Sequence, residues 1–241
     1  MRHPKTMKSF AATVTLAIAL ALATTGCGGK KGGDISGIDP KVRFVNAFPD
    51  ASSIKAAVGG SVISDAIAYG TVSDYRSLNN DTTTLTAGVS GYDDLAISSS
   101  RVIANNHRYT GIGFGPDGSR KIVCLDNDRS DASDNRVSLR LFDALSTPSS
   151  VDVYFTRATD GDTLPSTPSI AGVTRGTASG FFGLDIGSGN PVNVRIRVYA
   201  AGNRTSPLED RTLSLDTRFR GTVIAMDSGA DNLPLVLRDN T

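Results

Sequence analysis

The chain has no tryptophan, a single glutamate (Glu209), two histidines and two cysteines in 241 residues. Each scarcity removes a class of chemistry. His3 sits in the first few residues, so His107 is the one imidazole in the body of the chain, and multi-histidine metal sites are excluded. With only Cys27 and Cys124 there is no disulfide framework of the kind that staples small exported domains. Without Trp, platforms for stacking on sugars are thinly supplied. Lysine is also sparse beyond residue 40, at Lys41, Lys55 and Lys121, while arginine is plentiful and every acidic residue but one is Asp. Helices draw Glu and Lys onto their exposed faces, whereas Asp favours turns and caps. This composition points to strands and loops. The N-terminal apolar run, residues 10–22, is 13 residues long, short of the roughly 20 that span a hydrocarbon core as a helix.

What is there begins with Arg2, Lys5 and Lys8 ahead of that run, the layout of a signal peptide over residues 1–26. Ala23-Thr24-Thr25-Gly26-Cys27 follows and resembles the lipobox of bacterial lipoproteins, with Thr24 where Leu is usual. The resemblance implies cleavage before Cys27 and lipidation of that cysteine, partnering the chain with a membrane. Three acyl chains at about 0.8 kcal/mol per buried methylene would hold far more firmly than one. Gly28 rather than Asp after the cysteine implies, by the same resemblance, export to the outer membrane. Without residues 1–26 the side-chain charge falls to about −2, with no basic stripe for nucleic acid.

Residues 27–40, CGGKKGGDISGIDP, are Gly-rich and carry no hydrophobic period, which predicts a flexible tether spanning about 20 Å. Beyond it, Val192-Asn193-Val194-Arg195-Ile196-Arg197-Val198-Tyr199 alternates apolar and polar as a half-buried strand does, with Arg195 and Arg197 facing water. Similar short runs at 42–48, 54–58, 61–69, 82–86, 92–98, 107–114 and 119–125 are punctuated by Gly, Asn, Asp or Pro. The sequence also repeats. Residues 42–54 line up with 137–144 and then Ser149-Ser150-Val151, and the 109–125 hairpin lines up with 219–237. Each copy has room for about seven short strands, so the expected architecture is all-β, two tandem Ig-like sandwiches over 41–126 and 136–241 with a polar linker at 127–135. Val42-Arg-Phe-Val-Asn-Ala-Phe-Pro-Asp-Ala51 resembles the bacterial family called domain of unknown function 4397. The second copy departs from that pattern, with Asp143-Ala144 for Asn-Ala. The resemblance implies an exported repeat protein and carries no reaction or site residue with it.

Few constellations could carry chemistry. A Cys124-His107 dyad is disfavoured by the 115–118 turn, Gly-Pro-Asp-Gly. Read as a three-residue loop with a Gly bulge, it pairs Thr110 with Cys124 and Ile112 with Ile122, and turns His107 away from Cys124. Ser52-Ser53-Ile54-Lys55 and Ser133-Asp134-Asn135 match two motifs of serine penicillin-recognising enzymes in letters alone, since the helix and the Lys-Thr-Gly strand those motifs require are missing. The Asp-rich run 126–134 offers Asp126, Asp128, Asp131 and Asp134 as a candidate calcium set. Asp131 stands where an EF-hand loop needs Gly and Val137 where it needs Glu, and a solvated linker is the competing reading. The expectation is a lipid-anchored envelope module that binds a protein or glycan, or serves as a spacer, and is not an enzyme. An Asp-dependent hydrolase and a calcium-dependent adhesin are the alternatives.

Overall fold

A computed structural model describes residues 39–78, 82–89, 97–127, 130–227 and 234–240. The expected signal peptide over 1–26, Cys27, nearly all of the expected tether and Asp128 lie outside these residues. The first repeat contributes β1 (Lys41–Ala47), β2 (Ser53–Val58), β3 (Ser61–Ala68), β4 (Arg76–Ser77), β5 (Thr82–Val89), β6 (Ile97–Val102), β7 (Arg108–Phe114) and β8 (Lys121–Asn127). The second contributes β9 (Arg136–Asp143), β10 (Ser150–Arg157), β11 (Ile170–Thr174), β12 (Phe182–Asp185), β13 (Val192–Ala200), β14 (Glu209–Leu215), β15 (Arg220–Ala225) and β16 (Leu235–Arg238). In each repeat two four-stranded sheets face each other. Their orders are β4-β1-β7-β8 with β3-β2-β5-β6, and β12-β9-β15-β16 with β11-β10-β13-β14. The protein is therefore all-β, two Ig-like sandwiches in tandem. Strand for strand the repeats correspond, down to a central parallel pair, β1 with β7 and β9 with β15.

Period-2 alternation explains the cores. Val42 and Phe44 on β1 point into the first sandwich with Ile54, Leu85 and Tyr109. Val137, Leu139 and Leu141 on β9 point into the second with Val153, Ile196 and Val223. A third apolar cluster lies between the repeats. The opposite faces of the β1 and β9 sheets meet there through Val45, Ile112 and Phe114 on one side and Phe142, Ile224 and Leu237 on the other. Phe114 and Phe142 cross edge to face with centroids 5.5 Å apart. Gly176, at φ +75°, lets the backbone approach the Phe114 ring, where a Cβ would come within 2.7 Å. The described residues thus form one compact unit, and β1 and β9 are buried on both faces because each has a sandwich partner behind it and the other repeat in front.

Two expectations need correction. The 115–120 hairpin is paired one residue off, with Thr110 opposite Leu125 and Ile112 opposite Val123. A Ser119 N–H to Pro116 carbonyl bond closes a longer loop that two positive-φ glycines, Gly115 and Gly118, accommodate. Ile112 and Phe114 consequently face the other repeat while Ile122 and Cys124 pack on the inner core. Arg197 does not face water. The segment after β10 folds across that sheet, where the Asp162 carbonyl accepts from Arg197 Nη1 at 2.7 Å and Asp162 pairs with Arg195. The strand expected at 92–98 lies largely outside the described residues, and β6 is described from Ile97 to Val102. Its Ser98-Ser99-Ser100 centre has no alternation to detect, and its pairing with Thr82–Ala87 sets it.

Candidate functional site

The residues singled out above are held apart. His107 Nδ1 lies 2.9 Å from Asp126, both about half exposed, so the imidazole is oriented by a carboxylate and not by Cys124. Asp131 pairs with Arg218 at 2.8 Å and accepts from Asn240, and Asp134 sits 3.6 Å from the same guanidinium. Among the described residues no three His, Cys, Asp or Glu side chains come together as a metal site, so Asp126, Asp131 and Asp134 do not converge as a calcium set would. Arg218, in the turn between β14 and β15, holds the latter two. Ser52 precedes β2, and its carbonyl accepts from Tyr69 N–H, a turn role.

What the structure does assemble is a buried polar seam between the repeats, with near two-fold symmetry. Arg43 Nε donates to Thr110 Oγ1 at 3.0 Å, and Arg140 Nε to Thr222 Oγ1 at 2.8 Å. Arg43 and Arg108 lie over the Tyr75 ring at 4.7 and 5.1 Å, Arg140 and Arg220 over Phe181 at 4.9 and 4.0 Å. Asn127 Nδ2 donates to Thr110 Oγ1, and in the matching place Thr222 donates to Asp239. The symmetry breaks at that last pair. Asp239, fully buried, receives one Nη2 from Arg43 and one from Arg140, each at 3.3 Å. Burial pushes the Asp239 carboxyl up and the Arg43 guanidinium down, so each depends on the other rather than on water for its charge. Such a network specifies how two surfaces register.

The surface is indented elsewhere. A groove of about 780 Å³ runs between β3, the edge of one sheet of the first sandwich, and the 72–76 segment along the edge of the other. It is lined by Val62, Ser64, Asp65, Asp74, Tyr75 and Arg76 among others. Val62 is 45% exposed, unusual for a branched apolar side chain in this protein. β3 is an edge strand of eight residues, against five in its counterpart β11, and its pairing with β2 shifts register twice. Nothing in the sequence pattern singled this edge out, because exposure of one strand edge depends on which strands pair.

The fold and the repeated strand order now stand beside the comparisons with known proteins. Residues 40–154 match the family model for domain of unknown function DUF4397. The match spans the first repeat and continues through β9 into β10, so the DUF4397 pattern joins the two sheets that meet at the seam. Among solved structures, a carbohydrate-binding module of family CBM26 from Eubacterium rectale Amy13K, in complex with maltoheptaose, is similar at 12% identity. The alignment covers 85% of this chain and 97% of that one with a TM-score of 0.28, a likeness too low to bear on site or ligand. No curated protein matches the chain significantly.

Proposed function

We propose that the chain is an exported, lipid-anchored envelope module that binds without catalysing, and that its ligand is an extended peptide segment of another envelope protein laid along β3. The groove between β3 and residues 72–76 carries this reading. An edge strand presents unpaired backbone donors and acceptors on which an added strand can pair. Val62 offers an apolar contact, and Asp65, Asp74 and Arg76 a mixed charged rim. A glycan is less well served. The Tyr75 ring, which would be the stacking platform, already faces Arg43 and Arg108. Anchoring rests on the basic stretch, the short apolar run and the Gly26-Cys27 pair.

The test is a thermal melt with a panel of extended peptides and envelope glycans. A peptide at a hundredfold its dissociation constant should add about 2.7 kcal/mol, a shift of several degrees. Val62→Asp should abolish that shift and leave the unliganded melt unchanged. A shift with glycans alone would replace the peptide reading, and no shift with any ligand would favour a spacer. Anchoring is checked separately by fatty-acid labelling in cells, where Cys27→Ala should release the chain.

A further inference from the structure

Three carboxyl groups act on one another electrostatically where the second sandwich meets Tyr69 of the first. Asp143 closes β9, Glu209 opens β14, and Asp227 follows β15. Asp227 is well partnered, accepting the Ser146 N–H at 3.0 and 3.1 Å and its hydroxyl at 2.6 Å. The other two are not. Asp143 is fully buried; its Oδ1 accepts from Leu145 N–H at 3.0 Å, and its Oδ2 has no hydrogen-bond partner among the described residues. Glu209 is 7% exposed; its Oε1 accepts from Met226 N–H at 2.9 Å, and its Oε2 is likewise buried without a partner.

The first repeat shows what belongs at the Asp143 position. Asn46 is its counterpart, since Asn46 N–H reaches Thr71 O and Gly70 N–H reaches Asn46 O, as Asp143 does with Thr177 and Gly176. Asn46 Oδ1 accepts from Phe48 N–H, matching Asp143 Oδ1 with Leu145. Asn46 Nδ2 then donates to two carbonyls, Ala51 O and Ile67 O, each at 3.0 Å. Counting along the aligned turns, the corresponding carbonyls belong to Pro148 and Val173. The oxygen of Asp143 that lacks a partner therefore occupies a donor's place. A carboxylate has no hydrogen to give there, whereas a carboxylic acid does. At the Glu209 position, opposite Val198, the first repeat has Ile97, an uncharged residue.

We propose that Asp143 and Glu209 both carry protons in the folded chain in mildly acidic surroundings, where the free carboxyls would be ionised, and form a proton-held joint at the end of the second sandwich. The joint tightens in mildly acidic surroundings and loosens in alkaline ones. The groups facing it are Asp227, whose charge opposes ionisation of both, Arg175, which favours ionisation of Asp143, and Tyr69, whose hydroxyl donates to Asp227 O at 2.6 Å. Burial, the largest cause, raises Asp143 to about 6 and Glu209 to about 8. It also pushes the Tyr69 phenol up to about 12, so that residue stays neutral throughout.

The direction follows from linkage. Both carboxyls release their protons at higher pH in the folded chain than in the unfolded one. Their contribution is whole below the unfolded values of 3.8 and 4.5, and is lost as pH rises through the folded ones. The unfolding constant should rise by up to about a hundredfold per pH unit while both titrate, between pH 5 and 6, and by up to about tenfold per unit from 6 to 8. Asp50, Asp160, Asp185 and Asp210 are shifted downward, so what they add is complete by pH 5 and does not slope across this window.

The experiment is the urea midpoint of the full-length chain in mild detergent from pH 5 to 9. The midpoint should fall steadily to pH 8. Asp143→Asn, which installs the amide already present at Asn46, should flatten the fall between 5 and 6 and raise stability at pH 8. Glu209→Gln should flatten the fall from 6 to 8. The infrared carbonyl stretch of a protonated carboxyl, read at neutral pH on the unaltered chain, should be present and should vanish on raising the pH to 9; it does not depend on either variant folding. A midpoint that stays flat or rises with pH, variants that keep the wild-type slope, or no protonated-carboxyl band would overturn the proposal. A calcium-induced rise at pH 8, lost in both variants, would replace the protons with a cation.

Discussion

The two repeats share strand order, register and even the small hydrogen bonds at their strand ends, yet fill the frame differently. In the first, Phe44 and Phe48 lean over Gly111 and Gly113, where a Cβ on Gly111 would come within 2.8 Å of the Phe44 ring and one on Gly113 would run into Phe48. In the second, Leu141 and Leu145 stand at the Phe positions and Val223 and Ala225 at the glycines, all buried. A large residue beside none has become a smaller residue beside one with a side chain, so side-chain volume has moved from the phenylalanine to the glycine positions. Charge shows the opposite behaviour. At the seam, Asn127 and Asp239 occupy equivalent places, and that single difference gives the two buried arginines one shared carboxylate. Volume can be traded within a repeat because neighbours in one core compensate each other. Charge at the seam is settled only across both repeats.

The largest expected effect comes from erasing the charge difference. Asp239→Asn makes the second repeat resemble the first and removes the carboxylate that Arg43 and Arg140 share. It should cost about 3–5 kcal/mol, read from urea unfolding, and a loss under 1 kcal/mol would mean the arginines find other acceptors. Next comes the volume trade. Gly111→Ala should cost about 1–3 kcal/mol through overpacking against Phe44, and adding Phe44→Leu should recover part of it. A double-mutant cycle measures that coupling, and strict additivity would show that the two positions do not compensate. Smallest is Tyr75→Phe, which copies Phe181. It removes the 2.9 Å bond that Asn127 Nδ2 donates to the phenol, but Asn127 keeps Thr110 as acceptor, so about 0.5–1.5 kcal/mol is expected in the same assay.

Much of the frame was legible in the residues. The scarcity of Glu and Lys beside abundant Asp announced strands and turns, and the 192–199 alternation is β13 nearly residue for residue. The alignment of Asn46 with Asp143, and of Ser52-Ser53 with Ser149-Ser150, holds in the hydrogen bonds of both repeats. The site was far less legible. Arg43 and Arg140 read as ordinary polar alternation in a half-buried strand, and Arg197 likewise, because periodicity records which side chains share a face and not what covers it. Glu209 stood out as the only glutamate, a compositional oddity with no visible partner. The 115–120 loop misled because Gly-Pro-Asp-Gly suits more than one loop length, and a slip of one residue exchanges the faces of β8.

The sequence by itself determined local matters, namely strand period and the tandem repeat, because these depend on the order of residues a few positions apart. Only the tertiary structure decided that the outer faces of β1 and β9 meet each other instead of water, that Asp239 answers two arginines, that Asp143 lies where an amide would donate, and that β3 stands at a sheet edge. Each of these joins groups far apart in the chain, and their energies come from burial, which no stretch of sequence carries until the sheets have packed.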